Sequence, residues 1–457
     1  MIRALFEYYR IPEGLLGGAF RANVSNGSGF FHLGPDILCY GSCSTGVASN
    51  AENARSYDTL NYITLDHSEL RLPFDPDQVI ENMRREHYAA SMISWRENFF
   101  SSKRVRSAYY IARGLLPTGF RRRLQRAYFG GWDRKAFPRW PVDFSVDSIH
   151  QTVLRLAMEA RSVRKIPFIW FWPDGCQSCL VMTHDVETRL GRDFTSQLMD
   201  LDDSHGFKAS FQVVPEKRYE VPDAYIQEIR GRGFEFNIHD LNHDGKLYRD
   251  REEFLRRAAK INAYARQYGA SGFRAGSLYR NPEWFDAFEF SYDMSIPNVA
   301  HLEPQRGGCC TIMPFFIGRI LELPLTTAED YSLFYVLNEF SIDLWKQQFE
   351  LITSRHGMAS FIAHPDYLLE LRARKTYETL LSYLSKRAAT DKVWKALPGE
   401  VDRWWRARTE MRLVSRGSDW EIQGPQKERG QVAFAVLDGH QLRYEIAGNT
   451  VAKKEPS

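Results

Sequence analysis

The chain has 457 residues, of which 44% are hydrophobic and 26% are charged, a composition typical of globular proteins. This length exceeds that of one ordinary domain, so two or three domains are expected. The net charge is only +3, no run of about 18 apolar residues predicts a membrane-spanning helix, and the first ten residues lack the apolar region of a secretory signal, so a cytoplasmic protein is expected.

The first third of the chain predicts an α+β region. The first 60 residues are rich in Gly, Ser and Asn and predict short strands and turns. Asp75 and Pro76 predict the start of a helix that continues through residues 79–92. A stripe of apolar residues predicts a second helix over residues 146–161.

Residues 101–140 form a basic stretch. It has eleven Lys or Arg residues against one acidic residue, Asp133, a net charge of +10, and aromatic residues interleave with these charges. Such a stretch favours peripheral contact with an anionic membrane surface or a lipid phosphate headgroup. No recognition motif supports nucleic-acid binding. A solvated helical face is the alternative.

The six cysteines include one CxxC pair, Cys176 and Cys179. In a chain without a secretory signal, reduced thiols are expected. A redox pair or half of a metal site is the alternative, although neither a second CxxC nor a nearby His pair completes a zinc site.

The pattern changes from about residue 167, where short apolar runs alternate with helical segments. Strands are predicted at 180–182, 209–214, 234–238, 272–274, 321–323 and 360–363, and helices at 194–202, 224–231, 251–268 and 344–355. This alternation predicts an α/β fold with a parallel sheet or barrel. A Trp-rich helix is predicted over residues 393–408. Beyond it, a hairpin of residues 432–437 and 441–446, with strands at 411–414 and 420–422, predicts a small β unit. The predicted domains are therefore 1–165, 166–400 and 401–457.

Four short motifs carry acidic, imidazole or guanidinium groups near the ends of predicted strands. They are Thr183-His184-Asp185-Val186-Glu187, His239-Asp240-Leu241-Asn242-His243, Phe273-Arg274-Ala275-Gly276 and Ile362-Ala363-His364-Pro365. Side chains at strand ends fit an active site at the mouth of an α/β barrel. Two imidazoles four residues apart are a common way to hold zinc or a similar metal, although two surface histidines are the alternative. Asp185 and Glu187 face the same way if the backbone is extended.

In this order, the motifs resemble the conserved blocks of the polysaccharide deacetylase family, the NodB-homology or carbohydrate esterase 4 group. The resemblance covers roughly residues 167–397. It implies a distorted (β/α)7-type barrel, one divalent metal ion, with zinc expected and cobalt, nickel or manganese as alternatives, and removal of an acetyl group from an N-acetylated sugar.

The resemblance also implies a role for each matching residue. His239 and His243 match the metal-binding histidines, Asp185 the general base, His364 the general acid, and Arg274 the arginine that pairs with the base. The proline and tyrosine that follow this arginine in the family have no clear counterpart. Asp330 is the candidate for orienting His364, and a plain surface acid is the alternative.

The first motif departs from the family pattern. Val186 stands where the family has a metal-binding aspartate, so Glu187, one methylene longer, is expected to take the ligand role. His184 and His301 are expected to pack in the core or lie on the surface, and residues 307–310 to form a loop near the barrel mouth.

The sequence therefore predicts a metal-dependent hydrolase of N-acetylated sugars, acting on a cytoplasmic glycan or a lipid- or nucleotide-linked precursor of surface polysaccharide. One alternative is a catalytically inactive glycan-binding or scaffold protein, which Val186 favours. The other is an enzyme for non-sugar amides, such as cyclic imides or ureides.

Overall fold

The structure, a computed structural model, describes residues 2–12, 14–16, 20–22, 27–66, 69–92, 131–132, 135–417 and 419–448. Most of the basic stretch, for which membrane contact is predicted, lies outside the described residues. Within the described ranges no helix is long and apolar enough to cross a lipid bilayer.

The described residues contain eleven α-helices. The α-helices are α1 (Arg3–Tyr9), α2 (Pro76–Arg84), α3 (Ala89–Met92), α4 (Ser145–Ala160), α5 (Arg189–Ser204), α6 (Asp223–Gly231), α7 (Arg251–Tyr268), α8 (Asp343–Thr353), α9 (Pro365–Leu368), α10 (Leu371–Thr390) and α11 (Pro398–Glu410). A π-helix covers Ser332–Leu337.

The strands fall into two groups along the chain. The first comprises β1 (Phe20–Ala22), β2 (Ser28–Leu33), β3 (Ile37–Ser42), β4 (Thr64–Asp66), β5 (Glu69–Leu72) and β6 (Lys165–Ile169). The second comprises β7 (Ser178–Val186), β8 (Ser210–Val213), β9 (Glu235–His239), β10 (Gly272–Arg274), β11 (Tyr292–Asp293), β12 (Phe315–Ile317), β13 (Ile320–Glu322), β14 (Met358–Ile362), β15 (Val393–Ala396), β16 (Arg412–Arg416), β17 (Asp419–Gln423), β18 (Val432–Asp438) and β19 (Gln441–Ile446).

The chain divides into two compact units. One contains residues 1–84, 145–177 and 403–457, and the other contains residues 85–144 and 178–402. In the first unit the predicted hairpin β18–β19 is present, and β18 also pairs antiparallel with β6, which lies outside the tail. The three predicted domains, 1–165, 166–400 and 401–457, stay a prediction.

The second unit is built on a nine-stranded sheet. Its strand order is β12-β13-β11-β10-β9-β8-β7-β14. Strands β15 and β8 pair with the same edge of β7, β15 with its first half and β8 with its second half. All neighbours run parallel except β12 and β13. Helices α5, α6 and α7 connect consecutive parallel strands. The predicted α/β class with a barrel-like parallel sheet is confirmed.

Strand β7, the longest strand of this sheet, is buried at all nine of its residues. Its apolar residues account for this burial: Cys179, Leu180, Val181 and Met182 are at most 1% exposed. A strand covered on both faces is typical of parallel sheets with helices on one side and a filled barrel on the other. The last residues of β7 lie at the carboxyl end of the sheet, next to the ends of its parallel neighbours β8 and β14.

Two threonines connect β14 to the segment that follows β13. Thr326 Oγ1 donates to the Met358 carbonyl (2.7 Å) and accepts from the Ser360 amide (2.9 Å), and Thr327 Oγ1 donates to the Ser360 carbonyl (2.8 Å). These hydroxyls bond to the backbone edge that a further strand would otherwise pair with. Side chains therefore close the barrel at this point.

Most predicted elements are present, and two predictions are wrong. Residues 251–268 form α7 as predicted. The predicted helix 393–408 is instead strand β15 followed by α11, which begins at Pro398 because proline disfavours helix in the residue before it and suits the first helical turn. The helix predicted through residue 92 ends at Arg84, and Glu86 has a left-handed φ of 61° before α3 begins.

Thr326→Val should destabilise the protein by about 3 kcal/mol, because the Met358 carbonyl and the Ser360 amide would be buried without a partner. The matched control is Thr379→Val on the exposed face of α10, with an expected change within about 0.5 kcal/mol. Urea unfolding followed by circular dichroism gives both values. Equal effects of the two substitutions would contradict the proposed closure.

Candidate functional site

At the end of β7, successive side chains point to opposite faces of the sheet. Thr183 and Asp185 point into the barrel, where Thr183 Oγ1 donates to the Phe361 carbonyl (2.7 Å). His184 lies on the other face and is fully buried. Its Nε2 lies 2.9 Å from Asp202 Oδ2, and its Nδ1 lies 2.9 Å from the Ala363 carbonyl. The structure therefore gives His184 a packing position, as predicted.

Arg274, the last residue of β10, is fully buried and pairs with Asp185. Its Nη1 donates to Asp185 Oδ1 (2.7 Å) and to Thr183 Oγ1 (2.8 Å), and its Nε donates to the Met294 carbonyl (3.0 Å). Burial raises the pKa of the Asp185 carboxyl. The Arg274 guanidinium and nearby imidazoles lower the same pKa by more than burial raises it, so the pKa lies below its usual range. Asp185 is thus a buried, ionised carboxylate.

His239 ends β9, and His243 follows in a loop rather than in a helical turn. Asp240 and His243 both have positive φ, 56° and 52°, a conformation that Asp and His adopt more readily than most residues. The loop turns back on itself, so the two imidazole centroids lie 4.8 Å apart. Arg218 holds the loop by donating from Nε to the Asn242 carbonyl (3.2 Å) and from Nη2 to the His243 carbonyl.

Glu187 completes a set of three ligand-type side chains. One atom each from Glu187, His239 and His243 lies within 4.8 Å of the others. Glu187 Oε1 is 3.0 Å from His243 Nε2. Asp185 Oδ2 faces the same space, 3.8 Å from His239 Nε2. A carboxylate and two imidazoles are the ligand types of zinc and similar divalent metals.

The hydrogen bonds of His239 leave its Nε2 atom available to a metal ion. His239 Nδ1 donates a hydrogen bond to the Arg274 carbonyl (3.2 Å), so the Nδ1–H tautomer is favoured and Nε2 keeps its lone pair. Among the described residues, the buried Nε2 atom of His239 has no hydrogen-bond partner, whereas Nε2 of His243 lies 3.0 Å from Glu187 Oε1. Burial lowers the pKa of His239 to about 4, which favours the neutral form that binds metal. These residues fit a divalent metal ion.

The protonation of the other two ligands reflects their mutual contact. Burial raises the pKa of the Glu187 carboxyl, but His243 and His364 lower this pKa well below its usual range. Burial lowers the pKa of His243, but Glu187 raises it above the usual value. Without a metal ion, Glu187 and His243 share a proton, and a bound metal ion would replace this proton.

His364 lies at the end of β14 and is paired with Asp330. Its Nδ1 donates to Asp330 Oδ1 (2.6 Å), and its backbone amide donates to Asp330 Oδ2 (2.7 Å). Burial lowers the pKa of His364, but the Asp330 carboxylate raises it well above 6.5. His364 Nε2 lies 3.7 Å from Glu187 Oε1. Asp330 is fully buried, so it is not a surface acid.

The structure brings together every residue predicted for the site. The clustered residues are Asp185, Glu187, His239, His243, Arg274, His364 and Asp330. His301 is buried and stacks on Trp140, with ring centroids 5.9 Å apart. In the loop 307–310, the Gly308 carbonyl accepts from Tyr88 Oη (2.6 Å), and both cysteines are buried.

Sequence reasoning missed four residues beside the site. Burial raises the pKa of Glu303 to about 7 and the pKa of Glu329 well above its usual range, and both interact electrostatically with His364. Asp366 and Tyr219 contact the backbone around Glu187. Asp366 directly follows the motif Ile362-Ala363-His364-Pro365, and this position is the signal that could have found it. No sequence signal distinguishes the other three.

Comparisons with known proteins find similarity only at the level of structure. No protein-family model and no curated protein matches the sequence. A crystal structure from Mycobacterium smegmatis, assigned to the polysaccharide deacetylases, is 18% identical with a TM-score of 0.44, and the match covers 55% of this chain and 98% of that one. The PuuE allantoinase is 14% identical with a TM-score of 0.41, covering 52% and 92%. The peptidoglycan deacetylase PdaC from Bacillus subtilis is 11% identical with a TM-score of 0.33, covering 51% and 93%.

Asp330→Asn should destabilise the metal-free protein by about 3 kcal/mol at pH 6, because it removes one partner of a buried pair. The pKa of His364 is raised in the folded state, so the stabilisation by this pair is fully present below pH 6.5 and is lost as the pH rises through the folded pKa. The difference from wild type should therefore shrink at alkaline pH. Urea unfolding from pH 5 to pH 10 with a chelator measures it, and a constant difference would contradict the pairing.

Proposed function

We propose that the protein is a metal-dependent hydrolase that removes an acetyl group from an N-acetylated sugar. One observation carries the proposal. A carboxylate and two imidazoles, Glu187, His239 and His243, converge within 4.8 Å beside an ionised buried Asp185 and a protonated His364. These side chains, together with Arg274, belong to the four motifs that resemble the conserved blocks of polysaccharide deacetylases.

Glu187, His239 and His243 would hold the metal ion. When bound, a divalent cation supplies Lewis-acid polarisation of the acyl carbonyl and lowers the pKa of an adjacent water molecule. The second oxygen of Asp185, Oδ2, faces the same space as the ligand atoms, whereas Oδ1 is bonded to Arg274. Asp185 is therefore available for a reacting water.

Asp185 is the proposed general base. A carboxylate accepts a proton from the attacking water only if it is ionised, and the Arg274 guanidinium favours the ionised form. Three hydrogen bonds hold the guanidinium, to Asp185, Thr183 and the Met294 carbonyl. They fix the direction of the Asp185 oxygens, which is the orientation that proton transfer requires.

His364 is the proposed general acid. An amide nitrogen leaves poorly as an anion, so it needs a proton as the carbon–nitrogen bond breaks. Asp330 occupies Nδ1 of His364 and favours the protonated imidazole. Nε2 is the atom left to donate, and it lies beside Glu187. The base and the acid thus flank the proposed metal ligands.

The substrate class is supported by the motifs and by the basic stretch. We propose a cytoplasmic lipid- or nucleotide-linked glycan precursor, whose phosphate groups would suit the +10 charge of residues 101–140. Cytoplasmic location and membrane contact stay predictions. A glycan-binding protein without turnover and a hydrolase of other amides are the outcomes that the next two experiments separate from this proposal.

The purified protein should contain about one equivalent of a divalent metal, and the double variant His239→Ala/His243→Ala should contain none, because it keeps only one protein ligand. Inductively coupled plasma mass spectrometry on untagged protein measures the content. His87→Ala/His440→Ala removes two exposed histidines outside the site and is the matched control. Absence of metal from the wild type, even after zinc, cobalt or nickel is added, would contradict the hydrolase mechanism.

Asp185→Asn should lower kcat by about 10²- to 10⁴-fold and leave metal content unchanged. Acetate release from N-acetylglucosamine oligosaccharides measures turnover, and small acetamides and ureides test for the other amides. Loss of metal in this variant would make Asp185 a ligand instead of the base. Sugar affinity without acetate release by the wild type would favour the glycan-binding protein.

A further inference from the structure

Glu187 differs from an aspartate ligand both in its position in the motif and in the length of its side chain. It stands one residue after Val186, the position that matches the usual ligand, and its side chain has one more rotatable bond than aspartate. Each free torsion costs entropy when the carboxylate is fixed. A rigid backbone at Glu187 would offset part of that cost, so the groups that hold this backbone bear on metal binding.

Asp366 holds the backbone on one side of Glu187. Its Oδ2 accepts from the Glu187 amide (3.1 Å), and its Oδ1 accepts from Thr188 Oγ1. Thr188 Oγ1 in turn accepts from the Gly191 amide (3.3 Å), which is the N-cap bond of helix α5. One carboxylate, two residues after His364, therefore connects the Glu187 segment to the start of α5.

Tyr219 holds the backbone on the other side. Its hydroxyl donates to the Val186 carbonyl (2.5 Å) and accepts from the Val214 amide (3.0 Å). The peptide group that joins Val186 to Glu187 is therefore bonded at both ends, at its oxygen by Tyr219 and at its nitrogen by Asp366. Rotation of this peptide would break both bonds, so the plane of the peptide group that enters Glu187 is fixed.

Gly191 provides the space for Asp366. A Cβ atom at residue 191 would lie 2.5 Å from Asp366 Oδ2 and 2.7 Å from its carboxyl carbon. Both distances are far below van der Waals contact, and the carboxylate cannot move away without breaking its bonds to Glu187 and Thr188. A glycine within the first turn of α5 is unfavourable for a helix, and close approach of Asp366 is the structural reason for it here.

We propose that Asp366 and Tyr219 are positioning residues that set metal affinity through Glu187. This inference rests on the ligand set of the proposed function. Partners of metal ligands commonly change affinity by about 10- to 100-fold when they are removed. Asp366 and Tyr219 contact the backbone of the ligand Glu187. Their effect on metal affinity therefore requires the Glu187 side chain.

The test is a double-mutant cycle on the full chain with zinc as the probe. The dissociation constant is measured by competition with a chromogenic chelator for wild type, Glu187→Ala, Asp366→Ala and the double variant. Asp366→Ala should weaken zinc binding by about tenfold or more in the wild type. In the Glu187→Ala background it should change the constant by less than about twofold.

Two further variants keep the test decisive if Asp366→Ala folds poorly. Tyr219→Phe removes only a hydroxyl, and Gly191→Ala adds only a methyl group that displaces Asp366, and both should weaken zinc binding in the same direction. Asp193→Ala, half exposed on α5, and Tyr62→Phe, 60% exposed, are the matched controls and should leave zinc affinity unchanged. Thermal unfolding of each variant confirms that it is folded.

The outcomes separate the inference from the proposed function. If Glu187→Ala leaves zinc affinity unchanged, the ligand set is wrong and the inference fails with it. If Glu187→Ala weakens binding but Asp366→Ala and Tyr219→Phe do not, only the inference fails. If Asp366→Ala weakens binding equally in the Glu187→Ala background, Asp366 acts through the fold and not through the ligand, which also overturns the inference.

Discussion

The site depends on one buried side chain, the guanidinium of Arg274. It has no exposed surface, and it bonds to Asp185, Thr183 and the Met294 carbonyl, so it joins β7 and β10 to the segment after β11. Its own carbonyl accepts from His239 Nδ1. One residue therefore holds the proposed base ionised and also selects the imidazole tautomer that can bind a metal. Because a buried guanidinium needs anionic or carbonyl partners, the arrangement around it is constrained as a unit.

The same requirement explains why the charged groups of the site occur in pairs. Asp330 is buried with His364, and Glu187 is in contact with His243. An isolated charge at these positions would be costly, whereas each pair offsets part of the desolvation of its members. The pairs also set opposite protonation states in one small space, with Asp185 ionised and His364 protonated. General acid–base catalysis requires this separation of pKa values.

Much of this arrangement could be predicted from the sequence, but not all of it. The spacing of the four motifs predicted that Asp185, His239, His243, Arg274 and His364 lie together, because parallel strands end at one edge of the sheet. For Asp330 the sequence left two roles open, orienting His364 or a plain surface acid, since nothing in its local sequence shows burial. Tyr219, Glu303 and Glu329 could not be found, because they lie in connecting segments whose path depends on long-range packing. The helix predicted at 393–408 was wrong since the pairing of β15 with β7 outweighed its local pattern.

The sequence by itself determined the alternation of strands and helices and the chemical types gathered at the strand ends, because apolar periodicity and side-chain chemistry are local properties. The tertiary structure decided which atoms meet. The left-handed residues at Asp240 and His243 turn the second histidine back toward the first. The peptide between Val186 and Glu187 is fixed by Tyr219 and Asp366, which are 33 and 179 residues from their bonded partners. Contacts over such separations form only when the sheet has assembled, so no local pattern encodes them.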